Sequence, residues 1–190
     1  FGNMISMALA TPLLPFLPLT AGQILLNNFL SDLPSMAIAT DRVDPAALRR
    51  ARRWNHAELR RFMIVFGLLS SVFDLLTFGV LLKGFGADAG TFHGGWFLVS
   101  LLTELAVVLV LRTHGAAWRS RPSRLLFVAT LGVTATAVLI TVVPALAGPL
   151  GFAPLPAGLI ATLLAIVAAY LLATEAAKRR FFGRAHRRAT

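Results

Sequence analysis

The 190 residues carry 57% hydrophobic but only 14% charged side chains, with a mean hydropathy of +0.76. A soluble domain has about 25% charged residues, so this composition excludes an ordinary water-soluble enzyme and points to an integral membrane protein. The net charge of +10 would suit a nucleic acid, but its placement argues against one: all but Lys83 of the 18 cationic residues fall in 41–61, 112–124 and 175–190, on alternate loops between apolar runs.

That alternation sets the topology. The three basic segments are cytoplasmic by the positive-inside rule, and the segments near 12–18, 83–95 and 148–155 face outward. The fold class expected is all-α, a polytopic bundle of five full transmembrane helices plus the end of a sixth. There is no cysteine, hence no thiolate metal site or disulfide framework. There is also no P-loop, no HExxH and no Gly-rich dinucleotide turn. The histidines at 56, 93, 114 and 186 are read as solvated or interfacial loop and tail residues.

Residues 1–11 read as the last part of a helix whose beginning is absent, closed by Pro12, Pro15 and Pro18. Asn3 and Ser6 are its polar residues. The run 19–40 is 22 residues long, enough at 1.5 Å per residue to cross a core of about 30 Å. Inside it lies Asn27-Asn28-Phe29-Leu30-Ser31-Asp32-Leu33-Pro34. Pro34 has no amide for the carbonyl of Leu30, so the helix is expected to break there. Asn28, Ser31 and Asp32 stand at i, i+3 and i+4 on one face. A carboxylate in lipid costs roughly 2.5–3.5 kcal/mol, so Asp32 belongs against protein or a water path. Freed carbonyl, amide and carboxylate oxygens on one face of a broken helix suit a cation.

Residues 41–61 form a basic loop in which Asp44-Pro45 opens a short helix. Its Arg49–Arg53 stretch with Trp54 is either a topological anchor or a dock for an acidic cytoplasmic partner. The remaining spans are 62–82, 96–111, 125–147 and 156–174, followed by a basic tail at 175–190 that extends the last helix into the cytoplasm before fraying. Asp74 and Glu104 are the other membrane acids. Asp74 is expected to bond with Ser70 or Ser71 on its own helix, and Glu104 to stand near the site as a proton-carrying or supporting oxygen.

Phe1-Gly2-Asn3 with Ser6, Asn28-Phe29-Leu30-Ser31-Asp32-Leu33-Pro34, Arg52-Arg53-Trp54, Ser70-Ser71-Val72-Phe73-Asp74 and Leu111-Arg112-Thr113 together resemble a known family. It is the C-terminal membrane half of P-type cation-transporting ATPases, most closely the magnesium-translocating type. The resemblance covers almost the whole chain. It implies that 1–11 ends the fifth transmembrane helix and that 19–40, 62–82, 96–111, 125–147 and 156–174 are the sixth to tenth. It also implies cation ligands at Asn3, Asn28, Ser31 and Asp32, with Asn28 and Asp32 the metal-contacting pair and Asn27 and Glu104 just behind. Magnesium is then the transported ion. ATP with its magnesium is bound only by cytoplasmic domains absent from this sequence, as are the first four membrane helices. The implied partners are therefore those domains and the lipid bilayer, with no nucleic acid. The implied location is the cell membrane, C-terminus inside. A calcium or other cation pump, a secondary transporter and a non-catalytic membrane scaffold remain the alternatives.

Overall fold

The computed structural model describes residues 2–12, 14–41, 56–113, 117 and 120–187. The expected helix start at Asp44-Pro45, the Arg49–Arg53 stretch with Trp54, and His114 lie outside the described residues. The described chain forms helices α1 (Gly2–Ala10), α2 (Ala21–Ala37), α3 (His56–Gly79), α4 (Ala89–Leu111), α5 (Arg124–Val142), α6 (Pro144–Ala147) and α7 (Ala157–Arg187). Among the described residues there is no strand. Among the described residues four stretches are long and apolar enough to cross a membrane: Leu59–Gly84, Ala89–Leu111, Arg124–Val142 and Ala157–Phe181. At 17 residues α2 is about 26 Å long, short of a full core alone.

Helix α4 is the centre of the bundle. Every residue from Phe92 to Thr103 is buried, and α2, α3, α5 and α7 all pack on it. A helix apolar on all sides is a helix with neighbours on all sides. It starts at Ala89, seven residues before the expected 96, because Asp88 caps it by accepting a 2.9 Å bond from the Thr91 amide. His93 is therefore not a loop residue. It is buried inside α4, with Nε2 2.7 Å from the carbonyl oxygen of Leu17.

Glycine allows the close approaches around that start. A Cβ on Gly95 would meet Leu81 Cδ2 at 2.6 Å, and the Gly90 carbonyl accepts from the Ala153 amide at 3.1 Å. Leu81 lies in a π-helical turn, Val80–Gly84, that ends α3. Phe78 and Trp96 stack edge to face beside it, their centroids 4.8 Å apart.

The expected break at Pro34 is not found: α2 is α-helical from Ala21 through Ala37. One proline removes one backbone bond. The surrounding bonds persist because lipid offers no water to replace them. Serines bond to nearby carbonyls instead, Ser35 Oγ to Ser31 at 2.9 Å and Ser31 Oγ to Asn28 at 3.1 Å. The helix tightens only after Ala37, into a 3₁₀ turn at Ile38–Thr40. Its other end carries a full capping box, Thr20 with Gln23, and Gln23 Nε2 also donates to the Leu150 carbonyl at 2.9 Å.

One further boundary moved. The 125–147 run splits after Val142, where Pro144 opens the one-turn α6. Helix α7 continues past the apolar run to Arg187, as expected of the basic tail, and Glu175 pairs there with Lys178 (2.9 Å) and Arg179 (3.1 Å) along its own face. Lys178 is fully buried and also donates to the Val110 carbonyl at 2.9 Å, tying α7 to the end of α4.

The Asp88 cap gives a stability prediction. Bonds from the Thr91 hydroxyl and then its amide hold the Asp88 carboxyl below the usual carboxylate range. A depressed folded value stabilises the fold above the ordinary carboxylate pKa, and this is lost as pH falls through the lower folded value. Asp88→Ala should cost about 1 kcal/mol at neutral pH, while Asp88→Ser keeps most of it. Thermal unfolding of the purified protein would check this, with the Asp88→Ala deficit shrinking in acid.

Candidate functional site

Polar side chains from three helices meet on one stripe of α4. Ser100 and Glu104 stand four residues apart, so they share a face. From α1, Asn3 Nδ2 donates to Ser100 Oγ at 2.6 Å. From α2, Asn27 Nδ2 donates to Glu104 Oε2 at 3.2 Å. The buried Ser31, one turn on from Asn27 on the same face of α2, donates its hydroxyl to the Asn28 carbonyl at 3.1 Å. Asn3, Asn27, Ser31 and Glu104 thus lie within about one helical turn of one another along α4.

Asn28 and Asp32 are placed differently. On α2 the buried residues are Gln23, Asn27, Leu30, Ser31, Pro34 and Ala37. Asn28 and Asp32 fall on the neighbouring face and are exposed, beside exposed Leu25, Phe29 and Met36. Asp32 remains near enough to Glu104 for their charges to interact. The spacing i, i+3, i+4 therefore straddles an edge: Ser31 points inward with Asn27, and Asn28 and Asp32 open outward. The inward role of Asn27 follows from which side of α2 meets α4, and only the i+4 spacing of Asn27 and Ser31 hinted at it.

One atom in this cluster is conspicuous. The Asn27 amide nitrogen is bonded to Glu104, but its buried Oδ1 has no partner. A buried acceptor without a donor is costly, and a cation is one group that would satisfy it. Among the described residues no three His, Asp or Glu side chains come together. The cluster is built from amide and hydroxyl oxygens with Glu104 inside and Asp32 at its edge, a hard-donor set.

Asp74 does not join it. Its partners are on other helices rather than Ser70 or Ser71 as expected: Oδ2 accepts from Ser6 Oγ of α1 at 2.6 Å, and Oδ1 from Trp96 Nε1 of α4 at 3.4 Å. Asp74, Ser6 and Trp96 are all buried. This second polar knot binds α1 to α3 and α4, and so holds the helix that carries Asn3.

Comparison with known proteins agrees with the helical, membrane-embedded character. Residues 16–180 match the family described as cation transporting ATPase, C-terminus. The chain is 37% identical over 183 residues to the magnesium-transporting ATPase, P-type 1, of Salmonella typhimurium and to that of Escherichia coli strain K12. Each match covers 94% of this chain and 20% of the relative. A further Salmonella typhimurium protein of the same name is 32% identical over 189 residues. The chain thus spans about one fifth of the length of the curated relatives it matches.

Proposed function

We propose a function from one premise: the chain belongs to the family of cation-transporting ATPase C-termini. It is the membrane region that holds the transported ion in an ATP-driven primary pump, and the ion is magnesium. One observation carries this reading, the convergence of Asn3, Asn27, Ser31 and Glu104 on one stripe of α4 with a buried amide oxygen left unpaired.

Asn3, Asn28, Ser31 and Asp32 are the ligand positions, with Asn28 and Asp32 in direct contact with the metal. Asn27 and Glu104 support them from the α4 side. Mainly neutral oxygens with a carboxylate on either side of α2 suit a small hard ion that keeps several of its waters. The exposed edge bearing Asn28 and Asp32, with Leu25, Phe29 and Met36 around it, is where further membrane helices of the longer pump complete the site. ATP and its magnesium bind to cytoplasmic domains of that protein, which transfer phosphate to an aspartate and switch the site between the two sides.

With its 3₁₀ turn adding about 6 Å, α2 reaches some 31 Å and forms a fifth full span. In the pump's order α1 ends the fifth helix, and α2, α3, α4, α5 with α6, and α7 are the sixth to tenth. The protein sits in the cell membrane with the basic segments inside, so protease added to the cytoplasmic face of oriented vesicles should cut at Arg49–Arg53. Cutting only from the outer face would refute the topology.

The functional test is ATP hydrolysis by the full-length pump across magnesium, calcium, manganese and potassium at fixed nucleotide. An Asp32→Asn variant reports the magnesium needed by ATP itself. Stimulation by magnesium above that background is expected. Stimulation by calcium where magnesium adds nothing would remove the magnesium assignment.

A further inference from the structure

At the end of α2 remote from Thr20, one carboxylate joins three helices. Asp41 follows the 3₁₀ turn, and its side chain is almost fully buried. Its Oδ2 accepts from Arg112 Nη1 at 2.7 Å, and its Oδ1 accepts from the Ser123 amide at 2.8 Å. Arg112 is the C-cap of α4, its guanidinium as buried as Asp41, and it also donates to the Ser120 carbonyl. Ser123 caps α5, and its hydroxyl lies 3.0 Å from that of Thr40. The ends of α2 and α4 and the start of α5 thus meet on Asp41.

We infer that Asp41 and Arg112 are a positioning clamp that fixes α2 against α4 and thereby sets the cation affinity of Asn28, Ser31 and Asp32. This rests on the ion site proposed above. The same two helices touch twice, at Asn27–Glu104 within the site and at Asp41–Arg112 beyond it. A helix held at one point can turn about its axis or slide, and each residue step is about 100° of rotation and 1.5 Å of rise. Held at two points it can do neither. The second point matters here because Asn28 and Asp32 lie at the edge of the buried face, where a small rotation moves their oxygens most. Asp32 is nine residues from Asp41, about 13 Å along the helix, and Asn28 thirteen residues, about 20 Å. A buried ion pair is a poor choice if the only need is adhesion, since an apolar pair of equal volume holds as well without desolvating two charges. Its directional bonds fix a geometry, and the geometry fixed here is that of the ion-site helix.

The test uses the full-length pump reconstituted in vesicles, with Asp41→Asn, Arg112→Gln and the double variant. The half-saturating magnesium concentration and the maximal rate are measured separately. Each single variant should raise half-saturation about tenfold with the maximal rate held within about twofold, the split expected when ground-state binding is lost. The double variant should be no worse than either single, because both remove one contact. Asn28→Ala should cost less affinity in the Asp41→Asn background than in the wild type. If Arg112→Gln does not insert, Arg112→Lys keeps the charge while losing the forked geometry, and should show the same rise. Unchanged half-saturation with only a lower unfolding temperature overturns the clamp, as does full additivity with Asn28→Ala. Asp32→Asn run alongside separates the two readings. If it is inactive while Asp41→Asn binds normally, the clamp alone falls; if it is active, the site itself falls.

Discussion

Asp32→Asn is expected to abolish magnesium transport by the intact pump while leaving membrane insertion and expression unchanged. Asparagine keeps the shape of the side chain, so α2 packs as before, and Asp32 lies on its exposed edge with no structural bond to lose among those that hold α2 to α4. Only the charge goes. A hard divalent ion leaving water needs carboxylate oxygens, and Glu104 would be left as the sole acid in the cluster. A loss of about 3 kcal/mol in ion binding is roughly a hundredfold in affinity, enough to empty the site at working concentrations. The control is Asp74→Asn. Asp74 is the more deeply buried acid, but its work is to accept bonds from Ser6 and Trp96. An amide can accept from Trp96 and donate to the Ser6 hydroxyl, so transport should stay within about twofold of wild type. Magnesium flux into proteoliposomes distinguishes the two. Wild-type flux with Asp32→Asn, or equal losses from both variants, would count against the assignment of charge to Asp32.

The contrast between these two acids marks how far the sequence could be read. Helical spans were legible because a lipid-facing helix must hide its backbone and show apolar side chains, and α3, α5 and α7 each contain such a run. Polar residues inside those runs were legible as exceptions. Their partners were not. Whether Asp74 meets Ser70 or Ser6, and whether Asn27 or Asn28 faces α4, depends on how each helix is rotated in the bundle, and no local pattern fixes that. Helix ends were misjudged where polar residues belong to the helix. Asp88 and His93 depress hydropathy at the start of α4, although Asp88 is a cap and His93 is bonded to Leu17. The end of α7 was different: its run into the basic tail was expected, and the pairing of Glu175 with Lys178 and Arg179 carries it. Pro34 misled in the opposite direction: a proline that would break an exposed helix is buried within α2, which stays α-helical through Ala37.

Asn3→Glu is expected to shift the pump's preference toward calcium. In the wild type the Asn3 amide donates to Ser100, one turn along α4 from Glu104. A carboxylate there cannot donate, so the Ser100 hydroxyl would have to turn and donate to it instead, and a second negative charge would come to the α4 stripe. Two acids on that stripe repel unless one takes a proton or both share a cation, and the cation that profits is the one that accepts more oxygens. Calcium takes six to eight ligands at flexible distances, whereas magnesium demands an octahedron and gives up its waters reluctantly. The added charge therefore favours the ion that can be stripped further, and it also holds magnesium too tightly for rapid release. Calcium should inhibit magnesium transport at about tenfold lower concentration in Asn3→Glu than in wild type, a change of about 1.4 kcal/mol in relative binding. Maximal magnesium flux should fall at the same time. Asn3→Gln lengthens the side chain without charge and separates the two effects: it should disturb the Ser100 bond and lower affinity, yet leave the calcium-to-magnesium ratio alone. An unchanged ratio in Asn3→Glu would show that α1 does not contribute to the coordination sphere, and would leave selectivity to α2 and to the helices beyond this chain.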